Sequence, residues 1–120
     1  MTPRAAQLFG AVLALLGVML GAFGAHLLKP LLLAHGTLDG WQTAVHYQFI
    51  HALALLALSR QLGRGPAVCW LLGVLFFSGS LYLLTTNPGQ IWAGPITPLG
   101  GLLLIAGWIW FIVDRARSKD

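Results

Sequence analysis

Four long stretches of this chain carry no charged side chain, and short polar breaks separate them. They run from Ala5 to Leu28, Trp41 to Ser59, Pro66 to Thr86 and Pro98 to Val113. Crossing a bilayer takes about 20 mostly apolar residues, roughly 17 to 25. The pattern predicts four transmembrane helices at about 5–28, 41–60, 66–86 and 98–114, within a single domain over 1–120. The expected fold class is an all-α integral membrane protein, a four-helix bundle with short loops. The first stretch exceeds the roughly 7 to 15 residues of a signal-peptide core, so it is read as a retained helix.

The breaks carry turn chemistry. Gln61 to Gly65 makes a tight turn, and Pro66 suits the first turn of the third helix. Asn87-Pro88-Gly89 ends that helix. Thr97 reads as an N-cap with Pro98 at the first helical position of the fourth. The longest break, Lys29 to Gly40, contains Leu31-Leu32-Leu33 and predicts a short helix at the outer surface.

Two faces stand out within the stretches. In the first, Gly10, Ala14, Gly17, Gly21 and Ala25 recur every three or four residues, so they share a side. Small residues let helices approach closely in lipid. The expected use is packing within the bundle, and the alternative is a homo-oligomer contact through Gly10, Gly17 and Gly21. In the second stretch, Tyr47, Gln48 and His51 form a polar stripe, while His46 points away from it. In the third, Ser78, Tyr82 and Thr85 recur in the same way. His26 closes the first helix, and His35 sits in the following loop. Reading the chain direction of each helix puts His26, Tyr47, Gln48, His51, Ser78, Tyr82 and Thr97 at similar depth toward one end. The expectation is that they converge in an outer-facing polar pocket. Ionisable residues within a membrane are functional candidates by default.

Composition sharpens this picture. Apolar residues make up 58% of the chain and charged ones 8%, with no glutamate, where a soluble domain carries about a quarter charged residues. The net charge of +4 is not a nucleic-acid surface, because the basic groups are scattered at the ends of the stretches. Arg4, Arg60, Arg64, Arg115, Arg117 and Lys119 fall on one side of the predicted bundle, and Lys29 on the other. The positive-inside rule then puts both termini in the cytoplasm, in a multi-pass cell-membrane protein of bacterial plasma-membrane type. Trp70, Trp108 and Trp110 would form the inner aromatic belt, and Trp41 and Trp92 the outer one. Cys69, the sole cysteine, excludes an intrachain disulfide and reads as a buried hydrophobe.

Four segments in order resemble a known family: Gly21 to His26, Ala44 to His51, Phe77 to Tyr82 and Ile96 to Gly101. Together they are similar to the small membrane proteins catalogued as domain of unknown function 423, whose animal members are called transmembrane protein 256. The resemblance spans nearly the whole chain and implies a four-helix membrane protein. The family pattern matches this chain at His26, Tyr47, Gln48, His51, Ser78, Gly79, Tyr82, Thr97, Pro98, Gly100 and Gly101. It leaves His46 open and brings no activity with it.

The residues therefore support a binding module first, in which the outer-facing pocket holds a small amphipathic or lipid-like ligand. The alternative is a structural or assembly subunit, with the polar groups serving as interhelical bonds of about 0.6 kcal/mol each. A further alternative is a metal or haem site on His26 and His51. No G-x-S-x-G motif is present, so an enzyme is disfavoured. The expected partner is the lipid bilayer, with a second copy of the chain as the alternative use of the Gly10, Gly17 and Gly21 face, and nucleic acid is not expected.

Overall fold

The computed structural model describes residues 1–119; Asp120 lies outside them. The described chain is helical throughout: α1 (Pro3–Ala25), α2 (Lys29–His35), α3 (Leu38–Ala57), α4 (Arg64–Thr86) and α5 (Ile96–Arg117), with a 3-10 turn at Ile91–Ala93. The four long helices alternate in direction. Met1, the α3–α4 turn and the end of α5 share one end of the molecule, here the terminal end. The short α2 and the α4–α5 connection occupy the far end. Three elements are both long and apolar enough to span a membrane: Pro3–Ala25, Arg64–Thr86 and Ile91–Arg117. Helix α3 has the length, with 20 residues, but its polar stripe keeps it out of that group.

Local chemistry sets the boundaries. The Thr2 side chain accepts the Ala5 N–H and caps α1, two residues before the expected start. The Leu28 N–H turns back to the Phe23 carbonyl and closes α1 at Ala25, and Pro30 sits in the first turn of α2, where no N–H partner is needed. Gly36, at φ 67°, closes α2 in the left-handed region. Helix α5 starts at Ile96, which corrects the expected Thr97 cap. Thr97 lies inside the first turn, and its hydroxyl pairs with Ser80 instead. Pro98 falls among the first N–H positions, which have no intrahelical acceptor, so it breaks no bond there.

Each long helix packs mainly on its neighbours in the order α1, α3, α4, α5. The α1–α3 seam uses the predicted small face. A Cβ on Gly10 would come 2.8 Å from the Ala52 carbonyl oxygen, and one on Gly17 would meet the Phe49 ring at 3.0 Å. Gly24, rather than Ala25, completes the seam, because the Trp41 indole fills the space beside its α-carbon. The face proposed for a homo-oligomer is thus occupied by α3. The α4–α5 seam is tighter still. A Cβ on Gly100 would lie 2.2 Å from the Phe77 nitrogen, a backbone contact that cannot move aside.

The core sits toward the terminal half, around Leu55, Trp70, Val74 and Leu104, all buried. This corrects part of the aromatic-belt reading. Trp41 and Trp70 are packing residues inside the bundle, whereas Trp92 and Trp110 are exposed as a belt requires. Cys69 is half-buried.

Candidate functional site

Adjacent residues on α3 face in different directions, and this divides the predicted constellation in two. Gln48 points into the α1–α3–α4 junction and is 3% exposed. Its Nε2 donates to the Leu13 carbonyl at 2.8 Å, and its Oε1 accepts the Tyr82 hydroxyl at 2.6 Å. One amide therefore ties three helices together. Close by, Trp41 Nε1 donates to the Leu20 carbonyl at 2.9 Å while its ring packs on Tyr82, with centroids 4.8 Å apart. Ser78 Oγ donates to the Ala44 carbonyl at 2.7 Å. In hydrocarbon these polar groups have no water to turn to, so each bond forms within the chain.

The second group lies on the α5 side. His51 is buried, and both of its ring nitrogens are engaged. Trp108 Nε1 stands 3.0 Å from His51 Nε2, and His51 Nδ1 stands 2.7 Å from the Tyr47 carbonyl. An indole N–H can only donate. Nε2 must therefore accept, and Nδ1 carries the hydrogen and donates to Tyr47. This pairing fixes the imidazole tautomer. The His51 ring sits edge-on to Trp70, which packs on Trp108 at 4.4 Å. Because α3 spans Leu38–Ala57, His51 lies past its midpoint and nearer the terminal end than the sequence suggested.

Beside this group, Tyr47, Ile50, His51, Phe77, Gly101, Leu104, Ile105 and Trp108 line a groove of about 320 Å³ between α3 and α5, floored by α4. The Tyr47 ring packs on Phe77 at 5.0 Å, and its side chain is 41% exposed. Its hydroxyl has no hydrogen-bond partner among the described residues. Tyr47 also borders a second, polar recess of about 330 Å³, which it lines with Asp39, Gln42, Thr43 and His46. These five residues recur along one exposed face of α3, running toward the far end.

A model of the family described as protein of unknown function (DUF423) matches residues 20–101. The UPF0382 inner membrane protein YgdD of Escherichia coli strain K12 is 38% identical, over 99% of this chain and 95% of the relative. This chain belongs to the DUF423 family. Two further relatives bear the UPF0382 membrane-protein name. SSP2132 of Staphylococcus saprophyticus is 43% identical over 92% of this chain and 95% of its own, and YwdK of Bacillus subtilis 40% over 92% and 94%. No solved structure matches the chain. With three membrane-length apolar helices and a fourth long helix between them, this DUF423 protein is a multi-pass protein of the bacterial cell membrane.

The predicted residues of this DUF423 chain therefore do not form one cluster. Gln48, Ser78 and Tyr82 meet on the α1 side; Tyr47 and His51 lie on the α5 side; Thr97 pairs with Ser80 at 2.5 Å. His26 stands apart. It is exposed at the end of α1, where its backbone N–H caps the helix by donating to Ala22. His51 hydrogen-bonds to neither Tyr82 nor His26. The ring nitrogens of His51 are both used, so His51 itself has no free lone pair for a metal. Sequence reasoning missed Trp108, which lies 57 residues from His51 and carries no periodic signal linking the two. It also missed Gly24, although its spacing of seven from Gly17 was visible.

Proposed function

We propose that this DUF423 protein binds an amphipathic, lipid-like molecule along the exposed face of α3. The observation that carries this reading is the position of Tyr47, which borders both the polar recess and the apolar groove. Its unpartnered hydroxyl is the polar handle where the two meet. Asp39 and His51, at the extremes of the combined site, are separated by about 18 Å at 1.5 Å per residue. One leaflet of hydrocarbon is about 15 Å deep. The polar-to-apolar order along α3 thus runs as a membrane lipid does, head near the surface and chain toward the midplane. The basic residues at the terminal end support cytoplasmic termini, which opens the site to the outer leaflet.

A structural reading is favoured by one observation, the Gln48 amide bonded at both its nitrogen and its oxygen, and it applies to the α1 side of α3. It does not account for Tyr47. Native mass spectrometry of the detergent-extracted protein tests the binding reading. The expected result is a lipid-sized adduct on the wild type that is lost in Gly101→Leu. Gly101 lines the groove, and a Cβ there would sit 3.6 Å from the Phe77 ring, an ordinary contact, so the first added carbon fits; an unchanged melting point of the variant shows that the leucine fills the groove without splitting the helices. Equal adducts on both proteins would overturn the proposal.

A further inference from the structure

The polar recess has a composition that selects among lipid headgroups. Asp39, Gln42, Thr43 and His46 are spaced three, four and seven residues apart, so they stand on one face of α3. All four are exposed, and none has a hydrogen bond or ion pair among the described residues. Among the described residues, the far end carries only two charged side chains, Asp39 and Lys29, the latter opening α2. Asp39 is therefore the one anion near the recess. Beneath it lie one amide, one hydroxyl and one imidazole, each able to donate a hydrogen bond.

Resting on the groove reading above, we infer that this recess takes the headgroup of a zwitterionic, amine-bearing phospholipid. The Asp39 carboxylate receives the ammonium. Gln42, Thr43 and His46 donate to the phosphodiester one turn deeper, and a single acyl chain continues past Tyr47 into the groove lined by Ile50, Leu104 and Trp108. Charge favours a zwitterionic over an anionic headgroup, because Asp39 attracts the ammonium of the first and repels the net charge of the second. Charge also disfavours a second copy of the chain. Two copies in the same membrane orientation, related by a two-fold axis along α3, would bring Asp39 against Asp39. A quaternary ammonium headgroup has no N–H to donate to the carboxylate, so it binds less tightly than a primary amine.

Native mass spectrometry of the full-length protein in detergent tests this with four probes at equal concentration. They are phosphatidylethanolamine, phosphatidylcholine and phosphatidylglycerol with matched chains, and free phosphoethanolamine. The wild type should retain phosphatidylethanolamine about fivefold better than phosphatidylglycerol, the ratio an exposed ion pair of about 1 kcal/mol supplies. Asp39→Asn should bring the two lipids level while still retaining both, since the groove is untouched. Equal retention of the two by wild type would overturn the headgroup assignment and leave the groove reading standing. Retention of no lipid would overturn both. Binding of free phosphoethanolamine as tight as that of the lipid would assign the recess to a soluble phosphoamine and overturn the lipid assignment. A lipid-free dimer broken by His46→Leu would give the face to a second copy and overturn it as well.

Discussion

Gln48 and Tyr47 are neighbours on one helix, yet they belong to different kinds of place. On the α1 side, the amide of Gln48 is used at both ends, by Leu13 and Tyr82, and almost nothing of it is exposed. On the α5 side, the Tyr47 hydroxyl is left open in a groove whose other walls, His51 aside, are mostly apolar. Both are polar groups inside a bundle that spans a membrane. The difference lies in whether the chain itself supplies a partner. Where it does, the polar group is a joint between helices. Where it does not, something outside the chain is left to complete it.

That contrast can be broken most severely at Gly100. Gly100→Ala should cost about 3 kcal/mol or more, because the added methyl meets α4 backbone and the helices must part. The adjacent Gly101→Ala should stay within about 0.5 kcal/mol. Thermal unfolding in detergent would compare them, and equal melting points would refute the α4–α5 seam. Next in size is Gln48→Leu. It leaves the Tyr82 hydroxyl without its acceptor and should destabilise by about 1–3 kcal/mol. Adding Tyr82→Phe to it should recover part of that loss. A double-mutant cycle would give the coupling, expected near 0.6 kcal/mol and below about 1.7. A coupling of zero would mean that Gln48 is no joint.

His51→Phe should have a smaller effect on stability, because the aromatic packing survives while the Trp108 N–H loses its acceptor. Trp108 fluorescence should change in that variant and not in His46→Phe, whose ring is exposed and lies outside the Trp70–Trp108 cluster. Smallest of all is Tyr47→Phe. Its melting point should match wild type within about 0.5 kcal/mol, while retention of a copurified lipid falls. If Tyr47→Phe lowered stability as much as Gln48→Leu, the two sides of α3 would not differ in kind.

Much of the bundle was legible in the chain. Charge-free stretches of spanning length located all four long helices, and Leu31-Leu32-Leu33 pointed to α2. The glycine spacing of the first stretch marked the face that α3 occupies. The helix starts were less legible, as at Thr97, because Ser80 competes for its hydroxyl across an interface no local pattern reports. The site was readable by residue type and not by grouping. Helical periodicity put Tyr47, Gln48 and His51 on one stripe, about 100° per residue apart. A stripe that wide meets α1 on one edge and α5 on the other. Which edge belongs to which neighbour depends on packing order, and that is a property of the whole bundle.

The polar content of α3 also bears on how the protein is made. Three of the long helices are apolar enough to partition into a bilayer singly, and α3 is not among them. Yet the partners of its Gln48 amide, Trp41 indole and Ala44 carbonyl sit on α1 and α4, the long helices synthesised before and after it. Hydrogen bonding within the chain therefore favours entry of α3 together with one of these neighbours as a helical hairpin. A nascent chain that stops short of α4 has only α1 to hold α3 in place. Biogenesis then depends on the Gly10–Gly17–Gly24 seam before the rest of the bundle exists.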